Sequence, residues 1–271
     1  MKIDGKTAVV TGAAGGIGRE VVLELARRGA SHVAAVDQSP DIAEVATKIN
    51  AQIGRAVATG FCGDVTKDEF RHHVFGELRQ NHEVATICVP AAGITRDQLA
   101  VRLDKQTGRI VTYPADTFRK VVEINLIAPV YWALEMVAGI AEERRQSGKG
   151  KWEPEEDIQG TVIFIGSVSS LGNKGQIAYA ATKAALEGVA ATLMMEAIFH
   201  GVRCGILHPG YTRTPMVQAL DDRFIQEQII PRTQLRRLIE PEEIADAICF
   251  MIGNSAVSGS LWADAGYQPA T

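Results

Sequence analysis

Cysteine is scarce in this 271-residue chain, which has only four and no CxxC pair. Such wide spacing provides neither a disulfide framework nor a zinc site. We therefore expect no bound metal and a reducing compartment, the cytoplasm. The four thiols are Cys62, Cys88, Cys204 and Cys249.

Positive charge is also limited: the chain has 28 Lys and Arg against 32 Asp and Glu, so its formal net charge is −4. A nucleic-acid binder needs a basic face, so we expect no nucleic-acid partner. No apolar run approaches the roughly 20 residues that span a bilayer. The N-terminal stretch MKIDGKTAVVTG lacks the form of a signal peptide. The composition therefore predicts a soluble globular protein without a membrane partner.

What the chain does contain is a regular alternation of short apolar runs and longer helical patterns. Such alternation predicts βαβ units and an α/β fold, a doubly wound parallel sheet with helices on both faces. No repeat or linker divides the chain, so we expect a single domain over residues 1–271. About seven strands are predicted, at Thr7–Thr11, His32–Val36, Ala56–Cys62, Thr86–Val89, Thr161–Ile165, Arg203–Leu207 and Leu261–Ala263. Helices are predicted at Gly18–Arg28, Asp41–Asn50, Lys67–Gln80, Ala115–Arg145, Tyr179–His200 and Pro241–Gly253.

Three segments interrupt this alternation. Asp97–Pro114 and Glu142–Gly160 are polar or charged, and we expect them to be solvated surface insertions. Met216–Glu240 follows the C-terminal end of a predicted strand, where open α/β sheets bind their ligands. We expect this third segment to be flexible and to cover a substrate.

The first strand runs into a glycine-rich turn, TGAAGGIG, and then into a helix. Glycines let backbone N–H groups approach a pyrophosphate, and the helix N-terminus adds its positive dipole end. The spacing is TGxxxGxG rather than GxGxxG, and a purely structural turn would also explain the glycines. The place between the first strand and the first helix favours a dinucleotide site. Its candidate residues are Gly12, Gly15, Gly16, Ile17 and Gly18.

Two aspartates end the next two predicted strands. Asp37 lies 19 residues after Gly18, where a carboxylate can accept both ribose hydroxyls of an adenosine and repel a 2′-phosphate. No Lys or Arg follows it at once, so NAD is favoured over NADP as the cofactor. Asp64, with Val65 after it, either meets the adenine edge or simply caps the following helix.

A second motif, YxxxK, lies at the start of a predicted helix as Tyr179 and Lys183. The two side chains share one helix face, and a neighbouring ammonium is expected to lower the pKa of a phenol. Ser167 ends a strand 12 residues earlier, where its hydroxyl can orient a substrate carbonyl beside the tyrosine. An ordinary exposed helix is the alternative for YxxxK alone.

Taken together, these motifs resemble the short-chain dehydrogenase/reductase family over essentially the whole chain. TGAAGGIG, Asp37, Asp64-Val65, Asn125 in EINL, Ser167, Tyr179–Lys183 and PGYTRT fall in the family's order. The strings AGITRDQL, GSVSSLGNKGQ, MVQAL and SGSLWADAG resemble the 3-oxoacyl-[acyl-carrier-protein] reductase type most. The resemblance implies a Rossmann-type fold and a homotetramer or homodimer.

The resemblance also implies a role for each motif residue. Tyr179 would be the general acid and base, Lys183 would bind the nicotinamide ribose, and Ser167 would polarise the carbonyl, with Ser169 as the alternative. Asn125 would hold a water of a proton relay. The remaining cofactor contacts would come from Ala92 and Gly93 and from the segment that contains Pro209, Gly210, Thr212 and Thr214.

The chain departs from the family pattern after the fourth strand, where Pro90-Ala91 replaces two asparagines. Side-chain contacts that the asparagines would make cannot be expected here.

The function expected from these residues is NAD(H)-dependent interconversion of a secondary alcohol and a ketone. The substrate would be a small molecule, either a 3-hydroxyacyl or 3-oxoacyl thioester or a cyclic alcohol. An NADPH-dependent 3-oxoacyl-[acyl-carrier-protein] reductase is the alternative enzyme, and a non-catalytic NAD sensor is the alternative from another class.

Pro129 lies four residues after Asn125 in the same predicted helix. Proline has no N–H, so in a regular α-helix the Asn125 carbonyl would lose its partner. A water can supply the missing donor. We therefore predict that Pro129 helps to hold the relay water.

Overall fold

The apolar runs of the sequence form strands in the computed structural model, which describes residues 1–267. Residues 268–271 of the predicted domain lie outside the described residues. Most strand residues are fully buried, as expected of a parallel sheet covered on both faces. The strands of the main sheet are β1 (Thr7–Thr11), β2 (His32–Asp37), β3 (Ala58–Cys62), β4 (Ile87–Pro90), β7 (Gly160–Ile165), β8 (Val202–Pro209) and β9 (Gly259–Ala263), with β5 and β6 described below.

All seven strands run parallel, in the order β3-β2-β1-β4-β7-β8-β9. The order reverses at β1, which pairs with β2 on one side and β4 on the other, Ala8 standing opposite Val33 and Ile87. A ligand crevice is expected at such a switch point, outside the carboxyl ends of the strands. The seven-stranded, doubly wound sheet confirms the predicted fold class.

Helices cover the sheet in two layers, each with its own apolar core. On one face α1, α2 and α9 bury side chains such as Leu25, Ile42 and Ile248; on the other, α3, α5 and α6 bury Leu78 and Trp132 among others. Burial of each such side chain contributes about 1.5–3 kcal/mol. The helices are α1 (Gly16–Arg27), α2 (Ile42–Ile53), α3 (Asp68–Asn81), α4 (Ala115–Val122), α5 (Ala128–Gln146), α6 (Ile177–Ala197), α7 (Pro215–Gln218), α8 (Asp222–Phe224) and α9 (Pro241–Gly253).

The predicted helix Ala115–Arg145 is present but contains a π-helical turn at Glu123–Ile127, which joins α4 to α5. There the Ala128 N–H donates to the carbonyl of Glu123. By length and composition alone, this 32-residue helix could cross a membrane, with a mean hydropathy of 1.5 over its most apolar window. Half of that window is buried, and Trp132 and Met136 pack fully into the core.

The two predicted insertions are more ordered than a solvated loop. Asp97–Pro114 contains an antiparallel hairpin of β5 (Val101–Leu103) and β6 (Ile110–Thr112), which the polar sequence did not predict. In Glu142–Gly160, Arg144 is only 4% exposed. Its guanidinium donates to Glu156 and to the carbonyl of Gly150 and so fixes the segment.

Met216–Glu240, predicted to be flexible, contains short helical pieces with a small core of Ile225, Ile229 and Leu238. These pieces are α7, α8, a π turn at Ile225–Ile229 and a 3₁₀ turn at Ile230–Arg232. Two further 3₁₀ turns lie at Val168–Leu171 and Ile198–His200.

Candidate active site

The glycine-rich turn is shaped by close backbone contacts. Gly12 and Gly16 have φ of +68° and +52°, a left-handed conformation that glycine adopts without strain. A Cβ on Gly12 would lie 2.8 Å from the amide nitrogen of Ala92, and one on Gly18 would overlap the carbonyl oxygen of Gly12. The glycines therefore let the turn pack closely against the loop after β4 and against the start of α1, as in the backbone cradles that bind a pyrophosphate.

A cleft of about 320 Å³ opens at the carboxyl ends of β1 and β4. It is lined by fourteen of the sixteen residues predicted to bind a cofactor, namely Gly12, Gly15, Gly16, Ile17, Gly18, Asp37, Asp64, Val65, Ala92, Gly93, Tyr179, Lys183, Pro209 and Thr214. The other two, Gly210 and Thr212, line an adjoining smaller cavity together with Ser167. The glycine cradle, the carboxylates and the lysine fit a dinucleotide.

Asp37 lies at the end of β2 and faces the cleft. One carboxylate oxygen accepts the N–H of Ala14 at 3.0 Å, and the other accepts the N–H of Ser39 at 2.9 Å. These bonds fix the carboxylate between the glycine-rich turn and α2. Each oxygen keeps acceptor capacity for a ribose hydroxyl.

Asp64 lines the cleft and closes the turn before α3, but it does not cap that helix, whose N-cap, Lys67, has no side-chain cap. One oxygen accepts both the N–H and the hydroxyl of Thr66, at 3.0 and 2.8 Å. Burial opposes ionisation, but these hydrogen bonds outweigh it, so the pKa of Asp64 is below its ordinary value. The carbonyl of Val65 accepts from the Trp132 indole at 2.9 Å, which anchors the loop.

Asn125 is fully buried and lies behind the cleft rather than on its surface. Its side chain forms two hydrogen bonds with the backbone of Ile94, at 2.8 and 2.9 Å. This bridge holds the loop after β4, where Ala92 and Gly93 line the cleft. Because Asn125 lies in the π turn, its backbone carbonyl belongs to the distorted part of the helix.

Tyr179, Lys183 and Ser167 converge where the cleft meets the smaller cavity. Tyr179 and Ser167 both line the smaller cavity. The ammonium of Lys183 lies 5.6 Å from the centre of the Tyr179 ring and donates to the carbonyl of Ile165 at 2.7 Å. The Ser167 hydroxyl also accepts the N–H of Ser169 at 3.0 Å, which orients it.

The pKa values of this pair depart from the sequence-based expectation. Burial raises the pKa of the Tyr179 phenol, and the nearby Ser167 hydroxyl only partly opposes that rise. The net pKa of the phenol is therefore raised, not lowered as expected, because burial outweighs the influence that favours the phenolate. Burial also lowers the pKa of Lys183 to about 8, since a buried ammonium loses its hydration.

The smaller cavity, of about 120 Å³, has a polar side that the sequence analysis did not identify. Asp97 lines it and accepts from the Gln176 amide at 2.7 Å. In turn, Asn173 donates to Gln176 at 3.0 Å and to the Tyr211 hydroxyl at 3.3 Å. Asp97 lay in a predicted surface insertion, and only its position after the fourth strand could have pointed to the site. The dinucleotide cleft also gains lining residues that were not predicted, Gln38, Gly63, Ala91, Ile94, Ile124, Ile165, Gly166, Pro215 and Met216.

The segment after β8 closes the far wall of both cavities. Gly210 donates its N–H to Ala263 at 3.0 Å, and a Cβ there would lie 2.8 Å from Asp264. Thr212 is buried, while Thr214 turns the chain into α7 beside Gly16. The methyl group of Thr214 therefore packs directly against the glycine-rich turn.

Comparison with known proteins gives consistent matches. A family model described as short chain dehydrogenase matches residues 6–223. The 3-oxoacyl-[acyl-carrier-protein] reductase FabG of Pseudomonas aeruginosa is 31% identical over 257 residues, covering 94% of this chain and 93% of that protein. The (3R)-3-hydroxyacyl-CoA dehydrogenase of Canis lupus familiaris is 30% identical over 266 residues, covering 93% of this chain and 90% of that protein. A solved structure from Beutenbergia cavernae, with NADP bound at low occupancy, is 28% identical with a TM-score of 0.78 and covers 98% of each chain.

Proposed function

The chain belongs to the short-chain dehydrogenase family, and from this premise we propose that it interconverts a secondary alcohol and a ketone with NAD(H). The observation that carries the proposal is the convergence of Tyr179, Ser167 and Lys183 beside a glycine-cradled cleft. A non-catalytic NAD sensor would not need this set of side chains. The site, rather than the fold alone, therefore supports an enzyme.

The protein residues supply proton transfer and orientation, while a bound nicotinamide supplies the hydride chemistry. Tyr179 gives a proton to the ketone oxygen in reduction and takes it from the alcohol in oxidation. Ser167 donates a hydrogen bond to the same oxygen and stabilises the charge that develops there. Lys183 and Asn125 take part in the relay that returns the proton to solvent.

The cofactor is held by groups along the cleft. The turn that includes Gly12 and Gly16 would hold the pyrophosphate of a bound dinucleotide, and Asp37 would hold the adenosine ribose. Lys183 would bind the nicotinamide ribose. Two carboxylates, Asp37 and Asp64, and no Lys or Arg line the adenosine end among residues 1–267, which supports NAD over NADP.

The proposed substrate is a 3-hydroxyacyl or 3-oxoacyl thioester or a cyclic alcohol. The two relatives named above for 3-oxoacyl and 3-hydroxyacyl substrates support the first class. The Pseudomonas aeruginosa relative also supports the second candidate enzyme, an NADPH-dependent 3-oxoacyl-[acyl-carrier-protein] reductase. The NADP in the Beutenbergia cavernae structure makes the choice of cofactor the first point to test.

The enzyme is further proposed to be a cytoplasmic homotetramer or homodimer. The four cysteines are free thiols, which suits a reducing compartment. On α5, Tyr131 and Leu134 remain 49% and 39% exposed and offer an apolar contact for a second subunit.

A substrate panel tests the proposal. Reduction of NAD and NADP is followed at 340 nm with hydroxyacyl thioesters, cyclic alcohols and hydroxysteroids, and the reverse reaction is followed with the matching ketones. Turnover of at least one class with NAD is expected. Saturable NAD binding without turnover of any class would favour the sensor instead.

A further inference from the structure

His208 is a fully buried histidine of β8 that the proposed chemistry does not use. Its ring stacks on Trp262 of β9, with centroids 4.2 Å apart and planes 12° apart. Both ring nitrogens are polar, and a buried polar atom normally has a partner. The surroundings of the two nitrogens therefore indicate what the residue does.

The Nδ1 atom faces the backbone of Ser167. The N–H of Ser167 lies 3.3 Å from Nδ1, and the carbonyl oxygen of the same residue is also 3.3 Å from it. The register of β7 and β8 ends at Ile165 and Leu207, after which Gly166 donates to the Leu207 carbonyl. The imidazole nitrogen thus contacts the first residue after the last ladder hydrogen bond. A Cβ at Gly166 would overlap the ring, so glycine is needed there.

The Nε2 atom has no hydrogen-bond partner among the described residues. A carboxylate oxygen of Glu187 lies 3.8 Å away, beyond a hydrogen bond. Lys183, one turn earlier on α6, is the nearby positive charge that opposes protonation of the ring. Burial lowers the pKa of His208; the Ser167 carbonyl and Glu187 oppose this lowering, and Lys183 adds to it. The ring is therefore neutral at pH 7. The Glu187 carboxylate beside Nε2 favours the tautomer that carries its proton there, which leaves Nδ1 as the acceptor.

We propose that His208 is a positioning residue for Ser167: its neutral ring accepts the Ser167 N–H and so fixes the hydroxyl toward the substrate carbonyl. This inference rests on the proposed function. A proton on Nδ1 turns the acceptor into a donor and removes the bond. Activity should then be lost on the acid side for a reason independent of Tyr179.

The first experiment compares His208→Asn with His208→Leu. Asparagine can present an amide oxygen near the position of Nδ1, whereas leucine fills a similar volume without an acceptor. We expect kcat to fall about tenfold or more in His208→Leu and to stay within about threefold of the parent in His208→Asn. The dissociation constant for NADH should stay unchanged in both, and His200→Asn, on a part-exposed histidine in the 3₁₀ turn after α6, is the control.

If His208 served only in packing, His208→Leu would be more active than His208→Asn, because leucine suits an apolar site and a buried amide does not. That order, or equal activities of the two variants, would overturn the inference. A parent protein that turns over no alcohol or ketone would instead contradict the proposed function, before any variant is compared.

The pH profile gives a second readout that holds even if His208→Leu does not fold. Asparagine cannot be protonated, so the ratio of His208→Asn to parent kcat should rise as the pH falls below 6.5. Glu187→Gln removes the carboxylate that favours a charged ring. This variant should therefore lose its activity at a lower pH than the parent does. A ratio that stays flat with pH would overturn the inference.

Discussion

Replacing Asp37 by asparagine should change the choice of cofactor. The carboxylate accepts N–H groups of Ala14 and Ser39 at 3.0 and 2.9 Å, and one amide oxygen can keep part of this anchoring. Lys183 is the one basic residue among those that line the cleft within residues 1–267, and it lies at the nicotinamide end. The negative charge of Asp37 would therefore repel a 2′-phosphate, and no basic side chain that lines this end of the cleft within residues 1–267 would offset the repulsion.

The size of the effect follows from Coulomb's law. Two unit charges about 5 Å apart interact by about 1–3 kcal/mol at effective dielectric constants between 80 and 20. The parent enzyme should accordingly prefer NAD over NADP by roughly 5- to 150-fold in kcat/KM. Asp37→Asn should remove most of this preference, through a gain with NADP as well as a loss with NAD.

The assay measures kcat/KM for both cofactors with one fixed alcohol. Asp41→Asn is the matched control, because it removes the same charge four residues later, at an exposed residue that does not line the cleft. The reasoning is refuted if the parent uses NADP as well as NAD, or if the two variants change the ratio equally.

Four further changes have defined outcomes. Pro129→Ala should let a helical N–H reach the Asn125 carbonyl and slow proton transfer, seen as a lower kcat with little loss of NAD affinity; an unchanged kcat would count against the relay. Gly18→Ala should destabilise the fold by about 1–3 kcal/mol in urea melts, because its Cβ would overlap the carbonyl oxygen of Gly12. Gly188→Ala, on a helix and with open space around its Cβ, should stabilise the fold by about 1 kcal/mol. A Gly18→Ala protein more stable than Gly188→Ala would contradict the close packing described for the turn. Lys183→Met should abolish turnover yet stabilise the fold at pH 7 by up to about 3 kcal/mol, since the pKa of Lys183 is lowered from 10.5 to about 8. Below pH 8 the lysine is charged in both the folded and the unfolded state, and burial of this charge destabilises the folded parent. Between pH 8 and 10.5 only the unfolded chain keeps the proton, so the stability of the parent rises with pH. An advantage of Lys183→Met as large at pH 10 as at pH 7 would exclude this explanation.

The glycine-rich turn and the buried strands could be predicted because their signals are local. Gly12, Gly16 and Gly18 follow an apolar run and precede a helix, and few other backbones need glycine at these spacings. The strand runs are short, continuous and rich in Val and Ile, as buried parallel strands are. Differences were confined mainly to element ends, such as β8, which extends to Pro209.

Other features depend on contacts between distant parts of the chain and gave no local signal. The hairpin at Val101–Thr112 has strands of only three residues, in a stretch whose polarity reads as a loop. Burial sets the direction of the Tyr179 pKa, and burial is a tertiary property. His208 lies in a strand, and nothing in its neighbours along the sequence predicts that its ring meets Ser167.

The most direct test of the account is the turnover of Tyr179→Phe, measured by following NADH at 340 nm with an alcohol that the parent oxidises. The variant loses the proton-transferring hydroxyl but keeps the ring. We expect kcat to fall about 10²- to 10⁴-fold, while the dissociation constant for NADH stays within about twofold of the parent. A kcat close to that of the parent would contradict the assignment of the active site.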